Sequence, residues 1–107
     1  MSLDAATFEE QKYADLFPKL QQAYKRAFNE MSEAYDSTYV HGIDQAVLNE
    51  SEPVLEDGEF RVELPDDPAS RLDGVIEIEE ERLGELLDAY TDAIETELGR
   101  LFDVEPP

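Results

Sequence analysis

The chain has no cysteine and no tryptophan, one histidine and only eight basic residues. Without cysteine there is no disulfide framework, no thiolate nucleophile and no cysteine-based metal site. His41 alone cannot assemble the usual zinc ligand sets. No apolar run approaches the roughly 20 residues needed to cross a bilayer. Met1-Ser2-Leu3-Asp4 lacks the basic and apolar segments of an export signal. A cytoplasmic protein without membrane association is therefore expected. No basic patch is available for phosphates, so direct nucleic-acid binding is not expected either. No glycine-rich phosphate loop follows a strand pattern, and no cofactor is expected.

Acid is abundant. Asp and Glu number 28 against 8 Lys and Arg, for a formal net charge of -20. Such a chain repels itself in dilute buffer, and the compact state suffers most. At about 1 M salt the Debye length shrinks to about 3 Å and removes most of that repulsion. Many short, hydrated carboxylates and few apolar lysine stems suit a cytoplasm of molar potassium. Adaptation to high salt is the reading this composition supports, with non-specific association of potassium. The competing reading is an acidic mimic of nucleic acid, with Glu81, Glu85, Asp88, Asp92 and Glu95 spaced to occupy a basic cleft. Residues 1–48 hold 8 acids and 4 bases, a balance of -4; residues 49–107 hold 20 acids and 4 bases, a balance of -16. The stretch from Lys12 to Arg26 is the least acidic, and a partner would approach most easily there.

At 107 residues one domain, 1–107, is expected. Hydrophobic residues make up 41%, with five Phe and five Tyr, which argues against wholesale disorder. Residues 5–50 read as helical. Tyr13, Leu16, Phe17, Leu20, Tyr24, Phe28, Met31 and Tyr35 follow three-and-four spacing and predict one apolar stripe. Within it, 13–23 and 24–34 repeat with Tyr, Phe and Ala in register, and matched residues share a helix face. Pro18 is tolerated only in a first turn, so the pattern predicts a helix over about 5–16, a kink or break, and a second helix from 18 to about 35. Asp36-Ser37-Thr38 offers caps for a third helix, weakened by Gly42.

Residues 53–78 read as hairpin and loop. Asp57-Gly58 is a strong two-residue turn signal that sets Leu55 opposite Phe60. Gly74 to Ile78 is expected as a short third strand. From 79 to 102 the positions Leu83, Leu87, Tyr90, Ile94, Leu98 and Leu101 define the apolar face of a long helix. Residues 103–107 are expected to fray. The fold class is therefore α+β and predominantly helical: long antiparallel helices packed with a small β-hairpin.

Few side chains suggest chemistry. His41 has Asp44 three residues on, which would orient its ring on a helix as an acid–base pair. Asp66-Asp67 through Asp73-Gly74 does not fit a calcium-loop pattern, and no metal site is expected. Glu97 projects at the edge of an apolar face and needs a cationic partner; Arg26 or Lys25 would form that structural ion pair. The expected contact surface for a protein partner, or for a second copy of the chain, is Tyr13, Tyr24 and Tyr35 with Lys19 and Arg26.

The runs YADLFPKLQQAYKRAF, VHGIDQAVLNESEP and DGEFRVELPDDP resemble a family of short acidic haloarchaeal proteins of unknown function, over about residues 10–100. That resemblance implies high salt and a cytoplasmic setting, and carries no activity or catalytic residue. The expected function is a non-enzymatic interaction or regulatory module. A small enzyme using His41 as acid or base comes second, and an acidic mimic binding a basic partner third.

Overall fold

The computed structural model describes residues 4–102. It is α+β and predominantly helical, 65% helix with a two-stranded antiparallel sheet. The elements run α1 (Ala5–Gln11), α2 (Phe17–Ala34), α3 (Ser37–Ala46), a 3-10 turn (Leu48–Glu50), β1 (Glu52–Glu56), β2 (Glu59–Glu63), α4 (Pro68–Arg71) and α5 (Glu80–Leu101). The residues 103–107, expected to fray, lie outside the described part of the chain.

Side-chain caps open α1 and α3. Asp4 Oδ1 accepts the Thr7 N–H at 2.7 Å, and Asp36 Oδ1 accepts the Thr38 N–H at 2.8 Å. The first helix ends at Gln11, five residues before the expected stop. Pro18 explains this, because it sits in the first turn of α2 and forces a fresh start there. Residues 12–16 form a turn in which Gln11 O accepts from both Ala14 N and Leu16 N. A second break follows Ala34, where Tyr35 is extended at φ -133°, ψ 172°.

The hairpin has the expected register, with Leu55 opposite Phe60 and Val54 opposite Arg61. Its turn places Asp57 at φ 51° and Gly58 at φ 80°, the left-handed pair of a type I′ turn. Pro53 faces Val62 at a position where neither residue bonds across the ladder, so its missing N–H costs nothing. The expected third strand at 74–78 is not formed. Residues 72–75 turn instead, with Val75 N and Ile76 N both donating to Leu72 O. Ile76 then lies over Gly42 of α3, where a Cβ on Gly42 would come within 2.8 Å of Ile76 Cγ2. The glycine that weakens α3 locally is what lets this segment approach it.

The helices α2 and α5 form the main packed layer, and the hairpin covers α5. The face of α2 differs from the expected stripe. Its buried residues are Leu20, Ala23, Ala27 and Met31. Phe17, Tyr24 and Phe28 form a ridge about 75° around the helix. Two alanines bring the α2 backbone close to α5, where Leu83, Leu86, Leu87, Tyr90, Ile94 and Leu98 are buried. The aromatic ridge is displaced onto the α3 side. Phe8, outside the expected stripe, is fully buried against Phe60 and Phe102, with ring centroids 5.3 and 5.9 Å away. Among the described residues no helix is long and apolar enough to cross a membrane.

Candidate functional site

The groove between α2 and α3 opens into two clefts. The first, of about 410 Å³, lies between the start of α2, the end of α3, the 3-10 turn and β1. Tyr13, Phe17 and Tyr24 supply aromatic walls, and Asp44, Asn49 and Ser51 supply polar groups. Tyr13 is 60% exposed and Phe17 40%. Their rings stand 6.2 Å apart, tilted by 51°. The break after α1 turns Tyr13 outward, while Lys12 beside it points inward.

Hydrogen bonding fixes the polarity of this cleft. Ser51 Oγ donates its one proton to Leu48 O at 2.6 Å. In the 3.0 Å contact between Tyr24 and Ser51 the tyrosine must therefore donate. The Tyr24 phenol oxygen keeps only its acceptor capacity. Its pKa is raised, chiefly by burial, so the donor proton is retained. Asp44 behaves similarly. Tyr90, wholly buried on α5, donates to Asp44 Oδ1 at 3.1 Å. Burial and the nearby carboxylate push the Tyr90 phenol far up, so it stays a donor. One Asp44 oxygen is held in place, and the carboxylate borders the cleft.

The second cleft, of about 610 Å³, is lined by Phe28, Ser32, His41 and Gln45 among others. His41 is exposed and meets the Phe28 ring edge-on, with centroids 6.1 Å apart. Ser32 Oγ is buried there without a hydrogen-bond partner. His41 and Asp44 thus line different clefts, and Asp44 is engaged by Tyr90.

The remaining residues singled out in the sequence are spread around α2. Tyr13 and Tyr24 share the first cleft, whereas Tyr35 caps the far end of the helix, 39% exposed. Lys19 and Arg26 face α5. The Lys19 ammonium lies 5.3 Å from the Phe102 ring centroid. Arg26 Nη1 is 3.7 Å from Glu97 Oε2, and Arg100 Nη1 is 3.1 Å from Glu97 Oε1. Glu97 is 3% exposed between these cations. The nearby Glu30 has its pKa raised by its hydrogen bond with Glu97.

Two features were missed by sequence reasoning. Lys12 is 1% exposed, and its ammonium bonds Glu52 at 2.7 Å, Glu9 at 3.0 Å and the Pro53 carbonyl at 3.0 Å. These contacts outweigh desolvation and raise its pKa. A lysine beside a tyrosine gave no periodic signal of burial. Glu95, in the sequence one of the acids spaced for a basic cleft, instead accepts the Val62 N–H at its Oε2 at 3.0 Å. That N–H sits on the edge of β2 which β1 leaves uncovered, and it needs an acceptor.

Fold and cleft together define a small helical α+β module with an aromatic, acceptor-lined cleft on one side. The chain belongs to a family of unknown function (DUF5783), whose model matches residues 1–105. No curated protein and no solved structure matches it.

Proposed function

We propose that this protein is a non-enzymatic interaction module adapted to a cytoplasm of high salt, and that a partner protein docks at the Tyr13–Phe17–Tyr24 cleft. The observation that carries this reading is the exposure of Tyr13 and Phe17 at the rim of that cleft. Exposed aromatic groups beside a recess are the usual anchors of protein contacts. One wall of the cleft, Tyr13, Phe17, Leu20, Gln21 and Tyr24, comes from the Lys12–Arg26 stretch, the least acidic part of the chain. The net charge of -20 supports the high-salt setting, because salt screens the repulsion among the chain's own carboxylates.

The test is site-specific photo-crosslinking in native lysate at molar potassium chloride. A photoreactive residue at position 13 should give a discrete adduct that the same residue at position 88, on the outer face of α5, does not. Identical adducts from both positions, or none from position 13, would contradict docking at this cleft.

A further inference from the structure

The three aromatic walls and the fixed polar groups of the first cleft point to one ligand chemistry. Hydrogen-bond direction decides it. Tyr24 spends its proton on Ser51, Ser51 spends its proton on Leu48 O, and Asp44 receives from Tyr90. What the anchored groups offer to an incoming ligand is lone pairs and negative charge, with no anchored donor. The adjacent cation cannot supply one, because Lys12 is buried and its three bonds go to Glu9, Glu52 and Pro53 O. The amides of Gln21 and Asn49 can turn to accept or donate. Aromatic faces attract organic cations through their quadrupoles. The molecule already uses this chemistry nearby, with the Lys12 ammonium 5.4 Å from the Tyr13 ring centroid.

We infer that the cleft binds a basic side chain, a guanidinium or ammonium presented by a partner protein, between the Tyr13, Phe17 and Tyr24 rings with Asp44 as its counter-ion. A cleft of this volume falls within the range of small-ligand sites and takes one extended side chain with its flanking backbone. A guanidinium suits it best, since its planar face stacks on the rings while its N–H groups meet the Tyr24 oxygen and the Asp44 carboxylate. An acidic or neutral apolar segment would leave these acceptors desolvated without donors, which is unfavourable.

This inference rests on the docking cleft proposed above, and its test separates the two. An acetylated, amidated Gly-Arg-Gly peptide and its citrulline counterpart, which keeps the shape and loses the charge, are titrated into labelled protein. Backbone amide shifts are followed at one potassium chloride concentration where the protein is folded. The arginine peptide should move the signals of residues 13, 17, 24, 44 and 51 saturably, and bind about ten times more tightly than the citrulline peptide. Asp44→Asn should weaken arginine binding about tenfold and leave citrulline binding unchanged. Tyr13→Leu, at an exposed position that is safe for folding, should weaken arginine binding several-fold. Equal affinity for both peptides would overturn the charge-reading inference while leaving the cleft a docking site. Shifts spread evenly over the acidic face of α5 would overturn it in favour of general cation condensation. Absence of any saturable shift would overturn it outright, and position-13 crosslinking would then still stand as an independent check on docking.

Discussion

At the scale of single residues, two polar side chains, Lys12 and Tyr90, tie distant elements to this small core. Lys12 is desolvated, but three acceptors surround its ammonium. Removing it by Lys12→Met should cost about 2 kcal/mol in chemical denaturation. The loss stays moderate because Glu9 and Glu52 are half exposed and water can take over their solvation. The pH dependence carries its own sign. The folded pKa of Lys12 is raised, so its contribution is whole below the unfolded value and lost as pH climbs through the folded one. Stability should therefore fall above roughly pH 10, and fall less in Lys12→Met. Tyr90→Phe should cost about 1 kcal/mol, since it removes the donor to Asp44, whose carboxylate can reach water through the cleft. Neither role was legible in the sequence. Spacing reports which side of a helix an apolar residue takes, whereas Lys12 and Tyr90 find their partners across the fold, 40 and 46 positions away.

At the scale of elements, the long C-terminal helix and the hairpin were legible because each carries its whole signal locally. The helix has a continuous apolar face, acids in its first turn and Arg100 in its last. The hairpin has Asp57-Gly58, which imposes both turn type and register. The α2 face was not legible. Large aromatic residues mark a face by hydrophobicity, but helix–helix packing selected the Ala23–Ala27 side, where the backbones approach. Phe17, Tyr24 and Phe28 were left to line the clefts, and of the expected contact surface only Tyr13 and Tyr24 stand in the first of them. The third strand failed for a related reason: Gly74 turns the chain at φ 79°, and Ile76 packs on a helix instead of pairing with the sheet. Gly42→Ala tests that packing. Better helix propensity favours the change by about 1 kcal/mol, but the clash with Ile76 costs more, for a net loss of about 1 kcal/mol. The double variant Gly42→Ala with Ile76→Ala should show a favourable coupling in a double-mutant cycle. Strict additivity would mean the two residues do not press on each other.

At the scale of the whole molecule, charge governs the conditions under which the fold persists. Glu95 has its pKa raised chiefly by burial, partly offset by the Val62 N–H, with Asp92, Glu59 and Arg61 also acting on it. Glu30 is raised through Glu97. A raised carboxyl contributes stability that is present below its unfolded pKa and is lost as pH rises through the folded one. At fixed high salt the melting temperature should therefore be higher near pH 5 than near pH 7, with part of the difference removed by Glu95→Gln. The larger effect is that of salt. The molecule is 24 Å across its narrowest axis. At about 0.1 M salt charges repel over about 10 Å, a large part of that width; at about 1 M the range is about 3 Å, and only neighbours interact. The most direct test is thermal unfolding followed by far-ultraviolet circular dichroism in about 0.05 M and about 3 M potassium chloride. Screening of the net charge of -20 predicts a melting temperature that is much higher in the concentrated salt. Coincident melting curves would contradict it, and the carboxylates would then have to be explained by something they bind.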